Sequence, residues 1–231
     1  MKEQGKKRDK SLEIIALVIS ILCLALGFLT FSSQLKVQSD LTAHSEKLNF
    51  RVVFSTSNKS EKIEPVEPKI EPSNSKATAE NAKIINRDNP VLTNLKVNFT
   101  EPGQRARYIF YVYNAGEYTA YLNDIIYSNV AGLNKQKVCL AKDGSTNESI
   151  KKVCDSIQIS IKIGDIHTNK SMYNLNNKYL RSRTAQKVEV TIEYLDNDVF
   201  PDSDFEVIFG DIYLKYSMFP GNNSDNKSEV S

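Results

Sequence analysis

Tryptophan is absent from this 231-residue chain, and histidine is nearly so, with His44 and His167 the whole supply. Neither histidine has a metal-ligand neighbour at useful spacing, and H-E-x-x-H does not occur, which removes the zinc-peptidase motif. G-x-S-x-G, the P-loop and the dinucleotide fingerprint are also missing, so no motif points to hydrolytic, nucleotide-dependent or redox-cofactor chemistry. The reading is a non-enzyme that needs no cofactor. Net charge is scarce too. The formal +2 lies within residues 1–13, where Lys2, Lys6, Lys7, Arg8 and Lys10 face Glu3, Asp9 and Glu13, and the remainder sums to zero. A neutral body lacks the electrostatic footprint of a nucleic-acid binder. Helical periodicity is not evident anywhere beyond the N-terminus.

What is present favours strands. Eleven Tyr and ten Phe accompany abundant Val, Ile, Thr, Asn and Ser, a composition that suits pleated sheets and polar loops. Ahead of it, residues 1–11 are a basic segment and 12–31 hold the uncharged run Ile14 to Phe31. About 18 to 20 apolar residues span a bilayer, and flanking bases keep their side cytoplasmic. The spacing therefore predicts a single-pass membrane helix, with the N-terminus cytoplasmic and the C-terminal domain extracellular. A cleaved secretory signal is the alternative, although only Thr30 and Ser32 offer a weak small-residue cleavage site.

Residues 32–57 form a juxtamembrane segment that contains a first strand, in which Leu48, Phe50, Val52 and Phe54 alternate with Asn49, Arg51, Val53 and Ser55. Residues 58–80 repeat Ile-Glu-Pro, Val-Glu-Pro and Ile-Glu-Pro, the composition of an extended linker or loop. Over 81–219, period-two runs follow one another. They are Leu95, Val97 and Phe99; Ala106, Tyr108, Phe110 and Val112; Ala120, Leu122 and Ile125; Ile157 to Ile163; and Val188, Val190, Ile192 and Tyr194. Glu101-Pro102-Gly103-Gln104 has the type II turn pattern. In the last run, Phe205, Val207 and Phe209 differ in parity from Ile212, Leu214 and Tyr216, which predicts a β-bulge at Gly210. Short strands with turn signals indicate an all-β antiparallel sandwich. The polar end, 220–231, reads as a disordered tail.

Three sets of residues are candidates for function, Cys23 not among them. Cys139 and Cys154, beyond the membrane, read as a disulfide closing a fourteen-residue loop. Cys23 lies inside the apolar run and reads as lipid-facing. Asp196, Asp198, Asp202 and Asp204 are a weak calcium candidate, lacking the glycine and terminal glutamate of an EF-hand. Arg105, Arg107, Tyr111 and Tyr113 share the outward parity of one strand and could meet a partner, because both residue types are favoured in interface hot spots. Ordinary cross-strand pairing explains the same residues.

Several of these motifs resemble a known group. An apolar segment ending in Phe31-Ser32-Ser33, the Pro102-Gly103 turn, Tyr108-x-Phe110-x-Val112-x-Asn114-x-Gly116 and Phe209-Gly210-Asp211-Ile212 together are similar to exported, membrane-anchored β-sandwich proteins of low-GC Gram-positive bacteria. More loosely they resemble the TasA and camelysin group of biofilm-matrix proteins. The resemblance implies an Ig-like or jelly-roll sandwich outside the cytoplasm, able to polymerise. Two functions follow as expectations. One is an anchored surface module that meets another surface protein, a glycan or itself. The other is a secreted matrix subunit whose Leu48 to Phe54 strand completes a neighbour's sheet.

Overall fold

The computed structural model describes residues 50–87, 89–168, 172–173, 175, 178–196, 198–220 and 226–227. All fall within Asn49–Ser231, one of two units into which the chain divides. The membrane helix expected over 12–31 lies outside the described residues. Among those described, no helix is long and apolar enough to cross a membrane.

Among the described residues the class is all-β, with antiparallel sheets and one short helix. In the six-stranded sheet, β7 (Arg105–Asn114) lies beside β14 (Ala185–Tyr194), followed by β10 (Ile157–Ile163) and β11 (Ile166–His167). On its other side β7 carries two short strands, β1 (Val52–Ser55) along its C-terminal half and β2 (Pro68–Glu71) along its N-terminal half. Part of the expected 58–80 linker is thus built into a sheet. Proline at the first position of an edge strand removes no needed ladder donor, and Val66 just before it is buried. The strand expected from Leu48 begins, among described residues, at Val52, and all four residues of β1 are buried rather than half of them.

The opposing strands form two smaller sheets. The four-stranded one runs β3 (Thr78–Ala79), β6 (Leu95–Phe99), β15 (Phe205–Phe209), β9 (Lys137–Ala141). The five-stranded one runs β4 (Lys83–Asn86), β5 (Pro90–Thr93), β16 (Ile212–Ser217), β8 (Ala120–Tyr127), β13 (Tyr179–Leu180). The same chain paths pass from one to the other in the same lateral order. Asn94, at φ 63°, separates β5 from β6, and Gly210-Asp211 separates β15 from β16. Two residues of the expected disordered tail, Asn226–Lys227 (β17), pair with Met172–Tyr173 (β12).

Alternation explains the core. Ala106, Tyr108, Phe110 and Val112 are fully buried, as are Val97, Phe99, Phe205, Val207 and Leu214. Tyr194 of β14 packs its ring 6.1 Å from Phe99 and 6.1 Å from Phe205, joining the six-stranded and four-stranded sheets. The Glu101–Gln104 turn has Gly103 at φ 82°. Its buried Gln104 accepts from the Thr100 N–H at 2.8 Å and donates to Thr100 Oγ1 at 2.9 Å.

Two features differ from the sequence expectation. A helix, α1 (Glu148–Asp155), occupies most of the cysteine loop, where no helical period is visible. Asn147 caps it by accepting the Ile150 N–H at 2.8 Å, and Ile150 and Val153 are its buried residues. Gly210 is the second. Both halves of the last run do face the core, yet the parity change is a break between two strands in two sheets rather than a bulge within one. A Cβ on Gly210 would lie 2.0 Å from the Ser128 carbonyl oxygen. Because the obstacle is backbone, Gly210→Ala should destabilise by roughly 1–3 kcal/mol, read as a lower urea midpoint at unchanged m-value.

Candidate functional site: a basic groove along a free strand edge

The outward face of β7 is the first surface to weigh. Arg107 Nη2 lies 3.0 Å from Glu71 of β2, and its Nη1 lies 3.4 Å from Glu189 of β14. Arg105 lies 3.2 Å from Glu193. Lys187 and Lys69 extend the same ladder to Glu189 and Glu71. Tyr113 is buried and Tyr111 half-buried. The four residues do share one face, and their charges are answered within it by cross-strand pairing. The acidic loop does not gather. Asp204 is held by Lys142 at 2.6 Å, which lowers its pKa through that hydrogen bond, and the Asp202 N–H donates to Ser149 Oγ. No three His, Cys, Asp or Glu side chains converge as a metal-ligand group among the described residues. His167 sits in β11, and His44 lies outside the described residues.

Cys139 of β9 and Cys154 of α1 are a disulfide pair, with Cα atoms 5.8 Å apart. They line an open groove of about 830 Å³, inside the range of ligand pockets, about 300–1,000 Å³. One wall is β9 and the 128–136 segment that enters it, and the other is the end of α1 and the start of β10. Ile157, Ile159 and Phe209 supply apolar floor, and Asn129, Asn134, Gln136 and Gln158 supply amides. Lys135, Lys137 and Lys151 line it against the single acid Asp155. Lys137 Nζ crosses the gap to donate to the Ile157 carbonyl at 2.8 Å. Burial pushes the Lys137 amine below the ordinary lysine range, and nearby Asp155 offsets part of that.

Backbone geometry makes this wall unusual. Among the described residues β9 is the last strand of its sheet, paired only with β15, with Phe209 opposite Lys137 and Val207 opposite Cys139. Next to this register the Gly210 N–H donates to the Gln136 carbonyl at 2.9 Å. Antiparallel pairs alternate between bonded and non-bonded. The main-chain groups of Val138 and Leu140 therefore turn toward β15, and those of Lys137, Cys139 and Ala141 turn outward. Ala141 satisfies its own locally, donating to Ser145 O at 2.8 Å and accepting from Gly144 N at 2.9 Å. Among the described residues, the N–H and C=O of Lys137 and Cys139 meet no partner.

A contrasting edge shows how the chain closes a strand where none is to be added. Phe54 of β1 donates its N–H to Asn86 Oδ1 at 2.8 Å and accepts at its carbonyl from Asn86 Nδ2 at 2.8 Å. One side-chain amide thus takes the place of a neighbouring strand.

The cysteines were legible as a pair from composition, whereas the groove was not. Its walls lie within residues 127–159 but face each other only once the chain has folded over Phe209, and the helix forming one of them is only two turns long. Asn147 followed by Glu148 was the available signal, a capping residue with an acid in the first turn. No family model, curated protein or solved structure matches the chain.

Proposed function

We propose that the chain is a non-enzymatic interaction module of the cell surface, anchored by a membrane helix over 12–31. In this reading the β domain is a two-layer sandwich of Ig-like or jelly-roll type and lies outside the cell. The Cys139–Cys154 pair carries the proposal: its Cα separation of 5.8 Å suits a bond, and structural disulfides persist in oxidising compartments. The basic residues before Ile14 and the uncharged run to Phe31 provide the route there. Support for the sandwich comes from the Tyr194, Phe99 and Phe205 rings, which join strands of different sheets.

The polymerising reading has less behind it. Strand exchange would have to free β1 from β7 and open the Asn86 contacts to Phe54. Protease added to intact producing cells tests the anchored reading. Residues 50–220 should be digested or shed while the membrane stays sealed, and the undigested chain should resist carbonate extraction. Full protection until the cells are lysed would refute it.

A further inference from the structure

The groove beside the disulfide has two properties that together select a ligand. The first is a short ladder of unmet main-chain groups. Lys137 and Cys139 each present one donor and one acceptor toward it, spaced about 6.8 Å apart along the strand, two residues of antiparallel rise. An extended polypeptide matches that spacing, which is the basis of strand addition to a sheet edge. The second is charge: three lysines line the groove and one aspartate opposes them. Lys151 also bridges Glu148 at 2.7 Å. Both groups of that pair are exposed, so the contact competes only weakly with a new partner.

We propose that this groove binds an extended acidic peptide, which adds as a strand to the free edge of β9 and sets its carboxylates against Lys135, Lys137 and Lys151. The inference rests on the reading of the chain as an interaction module and names the chemistry of its partner. Lys137 is placed to serve twice. Its ammonium, now bridging to the Ile157 carbonyl, gains a counter-charge when a carboxylate enters, and its main chain offers two of the four ladder bonds. Alternate side chains of the added strand would face the floor of Ile157, Ile159 and Phe209, since strand residues point to opposite faces in turn. Charge also distinguishes this partner from the chain's own first strand. Lys47 precedes that segment and Arg51 lies within it, and both would meet lysines here.

The test uses the full chain purified in mild detergent, so its outcome does not depend on where the protein resides in the cell. The probe is a labelled, end-blocked octapeptide of alternating threonine and glutamate. Controls are the threonine–lysine counterpart, two versions N-methylated at alternate residues, one in each register, and inorganic polyphosphate. Binding of the acidic peptide should slow hydrogen exchange at the Lys137 and Cys139 amides. Lys135→Glu combined with Lys151→Glu should weaken it at least about tenfold. The lysine peptide should not bind, and one N-methylated register should fail. Equal binding of both N-methylated registers would overturn the proposal, as would peptide binding that leaves both amides exchanging freely. Full displacement by polyphosphate without protection of those amides would also overturn it, because charge alone would then be the cause. Failure of the acidic peptide to bind at all would overturn the partner while leaving surface localisation, tested separately on cells, intact.

Discussion

Tyr194→Ala should lower the unfolding free energy by about 4 kcal/mol, within the roughly 3–5 kcal/mol typical of truncating a large buried aromatic. The ring is fully buried and lies between Phe99 and Phe205. Its removal leaves a cavity between sheets that rigid strands cannot collapse to fill. The phenol also donates to the Val199 carbonyl, tying the segment after β14 to the core. Tyr194→Phe should keep the packing and lose only that bond, costing about 1 kcal/mol. Urea unfolding followed by tyrosine fluorescence reads both, and the Ala variant should show the larger fall in midpoint. Phe205→Ala combined with Tyr194→Ala should cost less than the separate effects together, since both truncations open one shared cavity.

Loss of the disulfide should have the next largest effect. Closing a loop of this length restricts the unfolded chain by about 3 kcal/mol on the chain-entropy model, so Cys139→Ser with Cys154→Ser should lower stability by a similar amount. The folded state should change locally as well. Without the bond, α1 is held by the burial of Ile150 and Val153, the Asn147 cap and the Asp202 N–H on Ser149, and an isolated helix of two turns is marginal in water. Hydrogen exchange should therefore accelerate at Lys151 to Asp155 far more than at Val188 to Ile192. Equal acceleration at both would mean that the bond supports the whole body rather than this wall of the groove.

Local alternation made most of the sheets readable from the sequence. Where one face of a strand is buried and the other solvated, period two fixes which residues are inside, and Ala106 to Val112 and Val188 to Tyr194 follow it throughout. Features that depend on distant chain did not announce themselves. Pro68–Glu71 looks like spacer in isolation and becomes a strand because β7 is ten residues long and β1 covers only its C-terminal half. The parity change at Gly210 was visible, but its cause was not: Ser128 crosses at a distance that only a glycine admits. In the third run, Leu122 and Ile125 are both buried because the β8–β16 register shifts between Lys215 and Tyr216.

The candidate site divides in the same way. Cys139 and Cys154 could be paired by counting, and the outward stripe Arg105 to Tyr113 could be placed by parity. That the stripe is answered by Glu71, Glu189 and Glu193 depends on register with β2 and β14. The free edge of β9 depends on which strand comes last in a sheet, a fact of topology that no local pattern encodes.

An exported body closed by a disulfide is the premise on which the reading as an anchored surface module depends. Its most direct test is the thiol state of the chain taken from its own cells, trapped with an alkylating reagent before lysis and mapped by mass after digestion. Cys139 and Cys154 should be recovered as one linked peptide that separates only on reduction. Recovery of both as singly alkylated peptides without reduction would contradict an oxidising compartment, and with it the account of the chain as a cell-surface module.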